Sequence, residues 1–250
     1  MSAKLLAIIN AEIHTVTAKE PIKGAILVAD GKIADFGPIS IPEEAEVIDA
    51  AGAGVYPGFI DPHTHLGVSE EGLGWEGRDY NEITEPVTAH LRALDAINPS
   101  DDGYREAVEA GITTVMSTPG SANILGGSTV VLKTGGGLLQ DRVLRENAGI
   151  KAALGENPKR VYSGQKKMPS TRMGSAAVLR EALVAAENYL AKIERAGEDA
   201  EKIPPRDLKL EALVPVLKKE IPLRMHAHRA DDIATALRIA KEFEIGRAHV

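Results

Sequence analysis

Two histidines separated by one residue follow a short apolar run near residue 60. The segment reads Val55-Tyr56-Pro57-Gly58-Phe59-Ile60-Asp61-Pro62-His63-Thr64-His65. Residues two apart on a β-strand face the same way, so His63 and His65 can direct two imidazoles to one point. Imidazole is a common ligand of zinc and of its first-row neighbours. The pair therefore indicates a metal site, against the alternative that both are ordinary core or surface histidines.

The composition limits which ligands and partners can be involved. The 250 residues include no cysteine, so any metal must be held by nitrogen and oxygen atoms. The formal charge of −7 comes from acids and bases mixed along the chain, which argues against nucleic acid as a partner. We find no signal peptide and no apolar run long enough to cross a membrane. These features predict a cytoplasmic protein without a nucleic-acid or membrane partner, and they leave a homo-oligomer open.

The elements that must position the histidines change character near residue 57. Short strands and turns fill residues 4–56, which indicates a small β domain over residues 1–56. Apolar strands then alternate with amphipathic helices, which is typical of βα units and a parallel sheet. The expected strands are residues 55–60, 112–117, 129–133, 150–154 and 223–227, and the clearest helices are residues 176–193, with Ser175 as N-cap, and 231–243.

These units predict an α/β fold in which residues 57–250 form an incomplete barrel. About five βα units are visible, whereas a closed (β/α)₈ barrel needs eight. Each barrel strand should be short, apolar and buried on both faces. Active sites of such barrels lie at the carboxyl ends of the strands, which is where His63 and His65 are expected.

Three motifs resemble those of the amidohydrolase superfamily. The stretch from Pro57 to His65 matches the pattern of the family's first barrel strand. Ala110-Gly111-Ile112-Thr113-Thr114-Val115 is similar to its second strand, and Met225-His226-Ala227-His228 is similar to its fifth. The resemblance extends from Leu5 to Phe243 and is strongest to the imidazolonepropionase-related and prolidase-like members. It implies a metal-dependent hydrolase with a partial TIM barrel, preceded by a small N-terminal β-sandwich strand set and truncated at its C-terminus.

The resemblance also implies roles for individual residues. His63, His65 and His226 match metal ligands of the family, so we expect one or two divalent ions, with zinc as the expected metal. Asp61 either orients this site as an outer-shell residue or caps its own turn. His228 faces a second metal or the substrate, or else packs beneath the next loop.

The bridging ligand of two-metal members is a carboxylated lysine or a glutamate, and the fourth strand offers both types. Glu156 is favoured over Lys151 because it follows the carboxyl end of the strand, although it could also be a surface charge. The basic segment 157–172 comes next and should lie on the catalytic face. It could hold a substrate carboxylate or be a solvated loop, and Tyr162 and Arg172 are its candidates for substrate binding.

The implied reaction is hydrolysis of a C–N bond in an amide or cyclic amide by metal-activated water. The general-base Asp of the family's eighth strand is expected beyond residue 250, so the fragment should be inactive. Residues 244–250 back-translate to a sequence that resembles a sequencing-library adapter, or else they begin the sixth strand, and His249 is not assigned as a ligand. Two rival functions are a deaminase of the same superfamily and a non-catalytic assembly protein with this fold.

Overall fold

A computed structural model describes residues 4–246, and the chain divides into two compact units at Phe59 and Ile60. The division lies slightly beyond the boundary predicted at residue 57. The N-terminal unit is a mixed five-stranded sheet in the order β3-β2-β1-β4, with β5 also paired to β1. Its strands are β1 (Leu5–Ile13), β2 (Ile22–Ala29), β3 (Lys32–Gly37), β4 (Glu46–Asp49) and β5 (Gly54–Val55).

The second unit contains two further sheets, in the orders β10-β9-β7-β6 and β12-β11-β8. The first contains β6 (Phe59–Thr64), β7 (Ile112–Ser117), β9 (Val130–Lys133) and β10 (Val143–Arg145), and the second contains β8 (Leu125–Ser128), β11 (Ile150–Ala153) and β12 (Leu223–His226). β11 and β12 are parallel, as the βα pattern indicates. The pairings β7–β9, β9–β10 and β8–β11 are antiparallel, so the expectation of parallel strands alone was wrong.

Two of the predicted strands differ from the observed strands, one in its bounds and one in its bounds and burial. The strand expected at residues 129–133 follows a separate strand, β8, which contains Gly127 in the left-handed region. A Cβ at Gly127 would lie 2.5 Å from the carbonyl oxygen of Leu91, so glycine permits this close approach. β6 is not buried on both faces: Phe59 and Ile60 are exposed, because β6 forms the edge of its sheet in the described chain.

Six helices complete the second unit as described: α1 (Asp102–Glu109), α2 (Leu139–Arg142), α3 (Glu156–Gly164), α4 (Arg172–Ala196), α5 (Leu208–Leu217) and α6 (Ala230–Glu242). α4 begins earlier than predicted because Thr171, and not Ser175, is its N-cap. The Thr171 hydroxyl accepts the N–H of Gly174 at 3.0 Å. Ser175 lies inside the first turn and donates to the carbonyl of Thr171.

The main core lies between the β12-β11-β8 sheet and helices α4, α5 and α6. Its fully buried members include Ile150, Leu179, Leu213, Leu223 and Ile239. β11 is paired on both sides, so its residues are buried whatever their polarity.

A long segment, residues 65–101, connects β6 to α1. It carries a short 3₁₀ turn, Trp75–Gly77, whose tryptophan is 85% exposed. No helix within residues 4–246 is long and apolar enough to cross a membrane. His249 and the rest of residues 247–250 lie outside the described residues.

Candidate metal and catalytic site

His63 lies in β6 and His65 follows the end of that strand, and their rings are close together. The ring centroids are 5.9 Å apart and the rings are nearly perpendicular. Partial desolvation lowers the pKa of both imidazoles, and the nearby Lys151 ammonium lowers it further for each. Both histidines are therefore biased toward the neutral form, which is the form that can bind a metal.

His65 is held in one tautomer by the main chain. Its Nδ1 lies 2.7 Å from the carbonyl oxygen of Thr118. A carbonyl can only accept, so Nδ1 must carry the hydrogen and Nε2 keeps its lone pair for a ligand. Tyr80 stacks on the ring, with centroids 5.4 Å apart. A hydrogen-bonded nitrogen opposite the free one is the usual arrangement of a metal-binding histidine.

His226 ends β12 and lines the same cavity as His63 and His65, which has a volume of about 410 Å³. Burial, followed by the neighbouring His228, lowers the pKa of His226 to about 4. The Nε2 of His226 lies 3.2 Å from the Nδ2 of Asn157 on α3. The structure thus brings the three predicted metal histidines to one cavity. A cavity of about 580 Å³ in the N-terminal unit has no histidine in its lining.

Lys151 lies deep beside this cluster. It is 1% exposed on β11, and its Nζ is 3.2 Å from the Nε2 of His63. Burial lowers the pKa of its amine to about 8. The backbone of Lys151 lies near the beginning of its strand, but its flexible four-carbon side chain places the amine beside His63. The position of Lys151 in the sequence did not indicate that its amine contacts a histidine of the site.

Glu156, favoured over Lys151 from the sequence, does not join the histidines. It opens α3, its side chain is 64% exposed, and its carboxylate lies 3.7 Å from Arg172. An acidic residue in the first turn of a helix is stabilised there by the helix dipole, which accounts for its position. Of the two candidates for the bridging ligand, Glu156 thus lies away from the histidines and Lys151 lies beside them, so their positions do not support the preference for Glu156.

Neither of the predicted substrate-binding residues of segment 157–172 faces the cavity as a free group. Tyr162 is fully buried, and its hydroxyl donates to the carbonyl of Glu85 at 2.5 Å. Arg172 binds Asp232 through two hydrogen bonds, and Asp231 and Glu156 lie within 4.0 Å of it. Their suggested contact with a substrate stays a prediction, although α3 and α4 turn both side chains toward other protein groups.

Asp61 and His228 lie at the margin of the site. One carboxylate oxygen of Asp61 accepts the backbone N–H of His63 at 3.0 Å, so Asp61 caps its own turn and fixes the backbone of a histidine. His228 is exposed beyond the end of β12, and its ring meets that of His226 edge to face at 4.3 Å. The suggested role of His228 toward a second metal or the substrate stays a prediction.

The donor set fits a metal in chemical type. Three imidazoles biased to the neutral form and a buried amine of lowered pKa share the region. Within residues 4–246, however, no three His, Asp or Glu side chains are close enough together to hold one ion. The three histidines line one cavity, but an ion would need to draw them closer.

Three cavity residues were not assigned individually from the sequence. Tyr80 stacks on His65, Asn157 contacts His226, and Arg160 lines the cavity one helical turn from Asn157. The spacing of Asn157 and Arg160 is a helical signal that could have placed them together, once α3 was recognised after the fourth strand. Tyr80 lies in a long connection without periodicity and gave no such signal.

Comparisons with known proteins find relatives in sequence and in fold. A solved amidohydrolase structure from Thermotoga maritima MSB8 is similar with a TM-score of 0.91 and 44% identity, covering 96% of this chain and 63% of that one. The amidohydrolase tasK of Hapsidospora irregularis is 30% identical over 89% of this chain. An imidazolonepropionase of Halobacterium salinarum is 32% identical over 68% of it. No family model matches the chain.

The fold is of the mixed α/β class, and the chain belongs to the amidohydrolase superfamily. The resemblance recognised from the sequence is thereby confirmed. The chain spans 24% of the length of tasK and 43% of that of the imidazolonepropionase.

Proposed function

We propose that the protein hydrolyses a C–N bond in an amide or cyclic amide of a small molecule, with water activated by a divalent metal, most simply zinc. The observation that supports this is the convergence of His63, His65 and His226 on one cavity, each with a lowered pKa. We place this site at the strand ends of a partial (β/α)₈ barrel, with the N-terminal sheet as part of a small β-sandwich. Membership in the amidohydrolase superfamily supports this architecture.

The three histidines would hold the metal, and Lys151 would serve as a further ligand after carboxylation. An amine with a pKa of about 8 is neutral in a fraction of molecules near pH 7, and a neutral amine can add carbon dioxide with loss of one proton. When bound, the metal would polarise the substrate carbonyl and lower the pKa of a water molecule. Thr118 keeps the Nε2 of His65 available, and Asp61 fixes the backbone that carries His63.

The proposal is tested by the metal content of the full-length protein. Elemental analysis should show that the double variant His63→Ala/His65→Ala loses most of its metal, because it removes two of the three imidazoles. Lys151→Met should lose part of it, because it removes only the further ligand. His14→Ala is the control: His14 follows β1 in the N-terminal unit, where its ring stacks on that of Tyr56 with centroids 4.2 Å apart, and its loss should leave the metal content unchanged.

A double variant with wild-type metal content would contradict the assignment of these histidines.

Hydrolysis is then followed on a panel of amides and cyclic amides by the appearance of the carboxylic acid. Release of ammonia from an amidine ring without such an acid would favour the deaminase, and full metal occupancy with no turnover of any of these compounds would favour the assembly role.

A further inference from the structure

One face of α3 connects the histidine cluster to a cationic side chain. Asn157, Arg160 and Val161 all line the cavity, and residues three and four apart lie on the same side of a helix. Asn157 contacts His226, so Arg160 is placed about 4.5 Å further along the helix axis, at a rise of about 1.5 Å per residue. α3 therefore presents Arg160 to the same space as the imidazoles.

Arg160 has no acidic partner in the part of the chain that the structure describes. No carboxylate of residues 4–246 lies within 4.0 Å of its guanidinium, whereas Arg172 has three such carboxylates around it. An arginine guanidinium offers a planar fork of hydrogen-bond donors. Arg160 is thus a charged, solvent-exposed group with its hydrogen-bonding capacity unused.

The rest of the cavity lining does not offset the positive charge of Arg160. The described side chains that line it include three histidines, Asn81, Asn157 and Tyr80, but no aspartate or glutamate. A concave site with a fixed cation and no acid attracts anions, and an arginine can bind a carboxylate through two parallel hydrogen bonds. The volume of about 410 Å³ suits a small molecule.

We propose that Arg160 binds a carboxylate of the substrate, so that the preferred substrates are small amides carrying a negative charge, such as N-acyl amino acids. The inference rests on the proposed function, because the histidine cluster is taken to act on the amide while Arg160 holds the other end of the molecule. Arg160 is a specificity-determining residue in this scheme. Neutral amides of the same shape lack the carboxylate that pairs with Arg160, so they bind more weakly.

The test uses the full-length protein and matched pairs of N-acetyl amino acids and their carboxamides. The pairs differ only in the negative charge. Arg160→Gln should raise KM for the acids by about 10- to 100-fold, as expected for a lost charge-assisted hydrogen bond, with little change in kcat. KM for the carboxamides should stay the same. Lys159→Gln is the matched control, since Lys159 is the adjacent cation on α3 and is not part of the cavity lining.

Calorimetry with N-acetylglycine supplies a readout that does not need turnover. Wild type and Lys159→Gln should bind it, and Arg160→Gln should bind it at least about tenfold more weakly. Equal binding by the wild type and Arg160→Gln, no binding by the wild type, or a preference for the carboxamides would overturn the proposal. If binding depends on Arg160 but no amide is hydrolysed, the anion site stands and the proposed hydrolysis fails. If amides are hydrolysed without a preference for the acids, hydrolysis stands and the anion site fails.

Discussion

The guanidinium of Arg172 donates two hydrogen bonds to the carboxylate of Asp232, from Nε at 2.8 Å and from Nη2 at 3.3 Å. Arg172 is the first residue of α4 and Asp232 lies in the first turn of α6, so the pair links the starts of two helices. Asp232 is 3% exposed, and both of its carboxylate oxygens accept from Arg172. The pair is therefore a structural contact of the second unit.

Arg172→Gln should lower the free energy of unfolding by roughly 2 kcal/mol, because it leaves a buried carboxylate with weaker compensation. KM for the substrates should not change. Arg180→Gln is the control: the Arg180–Glu242 pair is exposed on both sides, and its loss should cost less than about 1 kcal/mol. Denaturant unfolding followed by circular dichroism measures both. A raised KM with unchanged stability in Arg172→Gln would restore the sequence-based assignment of this residue to substrate binding.

Gly155→Ala should destabilise the protein by about 1–3 kcal/mol, because two constraints meet at this position. Gly155 has a φ of +83°, and a Cβ there would lie 2.5 Å from the Oδ2 of Asp232. Gly164→Ala is the matched control at the other end of α3, where a Cβ would meet nothing within 4 Å. That change should stabilise the helix by less than about 1 kcal/mol. Thermal unfolding of the two variants checks the contrast, and equal midpoints would contradict it.

Stability should fall as the pH rises from about 10 to about 12, in part because of Tyr162. Burial, followed by the charges of Glu82 and Glu85, raises the pKa of Tyr162 to about 12. Over this range the unfolded chain releases the phenolic proton while the folded chain keeps it, so the unfolded state is stabilised relative to the folded one by up to roughly 2–3 kcal/mol. Below pH 10 both states hold the proton and this loss is absent.

Tyr162→Phe should flatten this alkaline slope, measured as the unfolding free energy at a series of pH values. It should also lower stability at neutral pH, because the hydrogen bonds of the hydroxyl with Glu85 and Asn123 are lost. Tyr56→Phe is the control, since Tyr56 is 55% exposed and its removal should leave the slope as it is. An unchanged slope in Tyr162→Phe would show that other groups cause the loss.

Elements whose residues repeat a clear apolar pattern could be predicted from the sequence. The strand expected at residues 112–117 is β7 with the same bounds, and the helix expected at residues 231–243 is α6 displaced by one residue. These elements bury a regular set of apolar side chains, so local pattern and tertiary packing agree. β8 could not be predicted, because its two glycines carry no pattern and its strand forms through close approach to neighbouring backbone.

The part of the candidate site that lies at the ends of strands could be predicted from the sequence. His63, His65 and His226 follow directly from apolar strands, and the structure brings them to one cavity. The position of the Lys151 amine beside the histidines could not be predicted in this way, because the direction that a long buried side chain takes depends on the packing around it. The partner of Arg172 could not be predicted for a related reason: a cation on the expected catalytic face looks free until its acidic neighbour, here 60 residues away, is placed beside it.

The exposed 3₁₀ turn at Trp75 has a consequence for spectroscopy. Trp75 is the only tryptophan of the chain, and its indole is already in water in the folded state. Fluorescence excited at the red edge of the protein spectrum therefore reports on the segment between β6 and α1 and shifts little when the core of this chain unfolds. The same property makes Trp75 a local probe: a quencher in solution should reach it freely, and a molecule that covers this segment should reduce that quenching.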